Sequence, residues 1–181
     1  PAWGADQKTV DLTFDVNVKG VVHGTHVFGT YFVEQKRGHI INFGSLASLA
    51  PAPGIALYCA SKFAVRGFSL AAAQELAPHG VAVSLVMPDA VRTPMLDKQV
   101  DHPAAALTFS GNAPLEVADI ERVLVTEVFE KRPLEIAIPW ERGLLARLAN
   151  TEPRLAFALG PMLTKKGLAQ QARERARRVK S

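Results

Sequence analysis

The chain has 181 residues with 48% hydrophobic and 21% charged side chains, enough apolar material for one folded domain and too much for wholesale disorder. Its single Cys excludes an internal disulfide and a cysteine-based metal cluster and favours a reducing, cytoplasmic setting, and no apolar run reaches membrane-span length. The net charge of +4 is uneven: residues 140–181 carry 10 basic and 3 acidic side chains, while residues 1–139 carry 11 basic and 14 acidic.

In chain order, Val10 to Gln35 is expected to be a long helix, with Val18, Val21, Val22, Val27, Phe28, Tyr31 and Phe32 clustered on it. Gly20, Gly24 and Gly29 lower helix propensity, so close approach of another helix is expected along them. His39 to Phe43 is a β-branched run suited to a buried parallel strand. Ala47 to Leu57, with Pro51, Pro53 and Gly54, reads as a loop. A second helix covers Tyr58 to Ala77 and stops at Pro78-His79-Gly80. Val81 to Met87 is a second strand, and Pro94 to Pro114 a Gly- and Pro-punctuated lid over substrate. Leu115 to Lys131 is an amphipathic helix and Leu134 to Ile138 a third strand. Alternating helix and strand predicts an α/β fold with a parallel sheet and right-handed crossovers.

Three side chains carry the chemistry: Ser45, just past the first strand, and Tyr58 and Lys62, four apart on one helix face. An ammonium beside a phenol is expected to pull its pKa down from about 10, making Tyr58 a general acid/base for an alcohol or carbonyl. Ser45 would hydrogen-bond the same substrate oxygen. Such chemistry needs a hydride carrier.

With Asn17 in Asn17-Val18-Lys19-Gly20 and the segment Pro88-Asp89-Ala90-Val91-Arg92-Thr93, this set resembles the short-chain dehydrogenase/reductase family from about Val10 to Pro139. The resemblance implies a partial Rossmann-like, doubly wound sheet, about three strands of a larger one, flanked by helices. It implies an NAD- or NADP-dependent oxidoreductase interconverting an alcohol and a carbonyl. Asn17, Ser45, Tyr58 and Lys62 would be catalytic, Asn17 by holding a water in a proton relay. Tyr58, Lys62, Pro88, Val91 and Thr93 would bind cofactor, Val91 through its backbone and Thr93 through its hydroxyl. Asp89 replaces the family's usual Gly, which puts that loop's backbone in question. The family's Gly-rich phosphate turn is absent and the chain begins at Pro1, so residues 1–139 read as the catalytic C-terminal part of a longer enzyme, and the 181-residue segment is expected not to fold stably alone. A non-catalytic, nucleotide-sensing relative is the alternative. The family's paired long helices imply a homodimer or homotetramer.

Other features read more simply. Ser48, Ser61 and the buried Cys59 are structural, and Arg92 is a surface arginine. His23 and His26 lack a third ligand nearby, so no metal is expected. The tail, residues 140–181, holds Leu144, Leu145, Leu148, Leu155, Phe157, Leu159, Met162, Leu163 and Leu168, then five basic residues from Arg173 to Lys180. It reads as an apolar lid over a hydrophobic substrate ending in a solvated basic helix, with peripheral membrane contact as the alternative. The basic run lacks the aromatic interleaving expected of a nucleic-acid binder.

Overall fold

A computed structural model describes residues 2–178; Pro1 and Lys180 lie outside the described residues, as does the side chain of Leu155. Three parallel strands form one sheet in the order β1 (Gly38–Phe43), β2 (Val81–Pro88), β3 (Glu135–Ile138). Gly38 lies opposite Val81, and Leu85 opposite Glu135. The central strand is apolar but for Ser84, which pairs with His39, because helices cover both of its faces. Val83, Leu85 and Met87 face one helical layer and Val86 the other, as the two-residue period of a strand requires.

The first layer comes from α1 (Gln7–Phe14), α2 (Gly20–Gln35) and α3 (Ala56–Leu76). Asp6 caps α1 by accepting the Thr9 N–H at 2.8 Å. Between α1 and α2 the chain takes one wide π-helical turn, Asp15–Lys19, so the expected single helix is continuous but locally under-wound. The helical run also starts three residues earlier than the apolar pattern indicates. Close packing explains only one of its three glycines: a Cβ on Gly29 would meet the Leu76 side chain at 3.6 Å, whereas Gly24 faces open space. Between the layer and the sheet, Asn42 of β1 donates to Ser69 Oγ at 3.0 Å and to Thr25 Oγ1 at 3.4 Å, so a buried amide finds its partners on α2 and α3.

The second layer is α5 (Val117–Val123) and α6 (Phe129–Lys131), joined by the π-helical turn Leu124–Val128; Ile120 and Val128 pack against Val86 and Ile138. Between β2 and this layer lie α4 (Pro94–Gln99) and a 3-10 helix, Pro103–Phe109. Leu96, Val100 and Phe109 form a small cluster of their own there, against Ala90.

The tail folds as α7 (Trp140–Thr151) and α8 (Pro153–Arg178). Two glycines set how closely the 103–109 segment is held. A Cβ on Gly54 would lie 2.0 Å from the Ala104 carbonyl oxygen, and one on Gly167 would lie 1.9 Å from that of Ala106. The 103–109 segment is therefore gripped from the Gly54 loop and from α8 at once. No helix among the described residues is long and apolar enough to cross a membrane.

Candidate active site

β1 stays paired to its end, where the Gly44 N–H donates to the Val86 carbonyl at 2.8 Å. Ser45 follows in extended backbone and caps the 3-10 turn Leu46–Ser48. Its Oγ accepts the Ala47 N–H at 3.1 Å, and Ser48 Oγ accepts the Ser45 N–H at 3.2 Å. With a lone pair occupied, the Ser45 hydroxyl keeps its proton to donate outward. Ser48 is structural, as expected, but its task is to fix Ser45.

Helix α3 begins two residues before the expected position, at Ala56, which puts Tyr58 in its first turn. Lys62 lies one turn further on, its Nζ 5.7 Å from the Tyr58 ring centroid and donating to the Phe43 carbonyl at 3.1 Å. The structure therefore brings Ser45, Tyr58 and Lys62 together at the C-terminal end of β1, where open α/β sheets bind ligands.

The electrostatics correct one expectation. Burial pushes the Tyr58 phenol above its ordinary value; a hydrogen bond with Ser45 pulls the other way and loses. The Lys62 ammonium sits over the ring and gives its hydrogen bond to the Phe43 carbonyl, so its favourable charge does not outweigh the cost of burying a phenolate. Burial also lowers the Lys62 amine below its ordinary value.

Asn17 sits in the π-helical turn and reaches the same helix indirectly. Its amide donates to Ser61 Oγ at 3.1 Å, and the Ser61 hydroxyl donates to the Tyr58 carbonyl at 2.7 Å. Ser61 is fully buried and couples Asn17 to the turn that carries Tyr58, a link that Ser–Tyr spacing alone does not reveal. Cys59 is buried, with its sulfur against the Ala52 backbone.

The Pro88–Thr93 segment leaves the neighbouring strand at the same edge of the sheet. The Asp89 backbone is not in the left-handed region, so the family's Gly is dispensable there. Its N–H donates to the Ile138 carbonyl at 2.7 Å and its carboxylate binds Arg142 at 2.8 Å. Val91 forms a bridge with Leu115, through Leu115 N–H to Ala90 O and Arg92 N–H to Leu115 O, both 2.8 Å. That pattern leaves the Val91 amide facing away from Leu115. The Thr93 hydroxyl donates to the Val91 carbonyl at 3.2 Å and its residue caps α4.

Arg92 is not a surface arginine. Its side chain is 25% exposed and lies between two carboxylates, Glu116 at 2.6 Å and Glu174 of α8 at 2.5 Å. The basic end of the tail is not simply solvated either: Arg175 pairs with Asp101 at 2.9 Å, and Arg178 with Asp97 at 3.5 Å.

The family model described as short chain dehydrogenase matches residues 2–104. The chain is 35% identical over 134 residues to the cyclopentanol dehydrogenase of Comamonas testosteroni, covering 70% of this chain and 54% of that protein. It is 42% identical over 85 residues to the (S)-acetoin-forming diacetyl reductase of Staphylococcus aureus strain N315, covering 46% of this chain and 33% of that one. The chain thus spans about half the length of the cyclopentanol dehydrogenase, 54%. In fold it resembles a short-chain dehydrogenase from Sphingobium yanoikuyae in complex with NADPH, with a TM-score of 0.65 at 23% identity over 87% of this chain and 57% of that one. It also resembles a 4-hydroxyisoleucine dehydrogenase complexed with NADH, with a TM-score of 0.59 at 20% identity over 76% of this chain and 61% of that one.

Proposed function

The chain belongs to the short-chain dehydrogenase family, and from that premise we propose that it interconverts an alcohol and a carbonyl with NAD or NADP as hydride carrier. The observation that carries this is the convergence of the Ser45 hydroxyl, the Tyr58 phenol and the Lys62 ammonium at one sheet edge. The donor set suits a nicotinamide nucleoside: Lys62 would hold the ribose hydroxyls, and the Val91 amide and Thr93 hydroxyl the carboxamide, beside Pro88. When bound, the dinucleotide supplies or accepts the hydride.

In the reductive direction, Ser45 and Tyr58 donate hydrogen bonds to the substrate carbonyl oxygen and draw electron density from its carbon. As that carbon gains hydride, the proton on Tyr58 passes to the oxygen, giving the alcohol and a phenolate. The Lys62 ammonium over the ring stabilises that phenolate, and Asn17 orders the water by which the site regains its proton. Alcohol oxidation runs the same steps in reverse. With an ordinary phenol pKa of about 10, Tyr58 is protonated at neutral pH and available there as the acid for carbonyl reduction.

The exposed Val27, Phe28 and Tyr31 on α2 support a homodimer or homotetramer built on that helix. The exposed side chains Phe157, Met162 and Leu168 on α8 suit an apolar substrate or surface beside the lid. The decisive experiment follows nicotinamide absorbance in the full-length protein against a panel of ketones and secondary alcohols, with Tyr58→Phe as control. Carbonyl-dependent oxidation of NADH or NADPH that Tyr58→Phe abolishes is the expected result; equal rates in the two proteins overturn the assignment.

A further inference from the structure

The carboxylate of Glu174, near the end of the tail, lies 82 positions along the chain from the arginine it binds. It is 10% exposed and engages both Nη1 and Nη2 of Arg92, while Glu116 takes the Nε of the same guanidinium. Gln170 donates a further hydrogen bond to Glu174 at 3.2 Å. Arg92 lies between Val91 and Thr93, so the tail is tied to the turn assigned above to the nicotinamide.

The same helix face holds the segment that follows. The Gln171 amide donates to the Gln99 and His102 carbonyls at 3.2 and 2.9 Å. Arg175 donates to the Val100 carbonyl at 3.1 Å and Arg178 to that of Asp97 at 3.0 Å. Lys166 reaches Asn112 at 3.0 Å, and Gly167 lets the helix backbone press on Ala106. A cavity of about 330 Å³ remains between helix and segment, bordered by Arg92, Thr93, Asp97, Glu174 and Arg177.

These contacts are polar and directed at backbone carbonyls, and they hold one conformation of residues 94–109 rather than burying a broad apolar surface. Hydrogen bonds from charged donors are stronger than neutral ones and geometrically specific. The contacts converge on the one segment that contributes Thr93 at its start and has a hydrophobic cluster of its own, Leu96, Val100 and Phe109. A lid with its own core can move as a unit when its latch is released.

We propose that Glu174 is a positioning residue: through Arg92 it latches helix α8 onto the 91–109 segment and so sets cofactor and substrate affinity at the catalytic edge. The kinetic part rests on the function proposed above; the latch itself does not. Glu116 alone cannot replace Glu174, because it leaves both terminal nitrogens of Arg92 without a carboxylate.

The test uses the full-length protein with Glu174→Gln, Glu174→Ala and the shorter but charged Glu174→Asp. Two measurements are made: KM and kcat, and amide hydrogen exchange across residues 94–109. The Gln and Ala variants should raise KM for the dinucleotide about fivefold or more, the lower range of coupling between sites, with kcat nearly unchanged. Exchange across 94–109 should quicken, and Glu174→Asp should restore part of both. A purely structural glutamate would lower the melting temperature and leave the KM of the folded enzyme alone, and that outcome overturns the proposal. So does unchanged exchange in Glu174→Gln. If no variant folds, exchange in the wild type decides: with the latch, residues 97–102 and 171–178 lose protection together as salt is raised, and independent loss overturns it. Exchange needs no turnover, so an inactive protein with a salt-released latch would condemn the function and spare the latch.

Discussion

The Lys62 ammonium stands over the Tyr58 ring, 5.7 Å from its centroid, and gives its hydrogen bond to the Phe43 carbonyl at 3.1 Å. The cation thus offsets part of the cost of a buried phenolate when proton transfer forms one, while burial keeps the balance toward the phenol. The protonated phenol is the resting acid, and burial shifts it further toward that form. Tyr58→Phe removes only that oxygen and should lower kcat by about 10²–10⁴, the usual span for a general acid/base. Dinucleotide affinity, measured by fluorescence titration, should remain close to wild type. A fall in kcat of less than tenfold would show that another group handles the proton.

Lys62 carries a stability cost that its chemistry requires. Burial lowers its amine below the ordinary value, so the unfolded chain holds that proton more tightly than the folded protein does. Stability from this group therefore rises with pH between the lowered value and about 10.4, and the group is destabilising at neutral pH. Lys62→Met should abolish most activity and raise the melting temperature at pH 7. The difference from wild type should shrink as pH climbs toward about 10. A variant that melts at or below the wild-type temperature at pH 7 contradicts the assignment.

Ser61 is the unanticipated member of the site. Ser61→Ala removes the acceptor of the Asn17 amide and the donor to the Tyr58 carbonyl, leaving a part-buried amide unpaired. The expected loss is about 1–3 kcal/mol in chemical denaturation, with a fall in kcat because Asn17 is no longer held. Asn17→Ala should lower kcat at least as far while leaving Ser61 bonded to Tyr58, hence with the smaller loss of stability. Equal stability losses in the two variants would place Asn17 in the fold and not in the relay.

The parts of this molecule legible in its sequence are those governed by short-range periodicity. β2 is legible because a strand buried on both faces is mostly apolar, with Ser84 its one polar residue, and β1 because His39 to Phe43 carries the β-branched pair Ile40-Ile41. The grouping of Ser45, Tyr58 and Lys62 followed because a strand end and a helix's first turn lie together in this topology. Arg92 was misread because its partner Glu174 is remote in sequence, and nothing in the composition of a basic tail distinguishes a latch from a solvated face. The Tyr58 shift was misjudged for a different reason: spacing gives the separation of two side chains along a helix but not whether an ammonium faces the hydroxyl or the ring. The π-helical turn at Asp15–Lys19 left no mark on the apolar pattern, since one widened turn barely shifts its phase.

Glu135 begins β3 level with Leu85 and Asn42 across the sheet, and its charge makes a contribution to stability that can be read separately. It accepts two hydrogen bonds from Arg66, at 2.5 and 3.2 Å, and one from Arg147 at 3.5 Å, joining α3, β3 and α7. Burial alone would raise its pKa, but the Arg66 and Arg147 guanidiniums outweigh it and the folded value lies below the ordinary one. Its stabilisation is therefore complete above the ordinary carboxylate pKa of about 4.3 and is lost as pH falls through the lowered folded value. Glu135→Gln should cost about 2 kcal/mol at pH 7, less than the 3–5 of a fully buried pair because Arg66 and Arg147 keep 28% and 41% of their side chains exposed. The deficit should disappear at low pH, where the wild-type carboxylate is itself protonated. A deficit that persists undiminished at pH 2 would assign the loss to packing rather than charge.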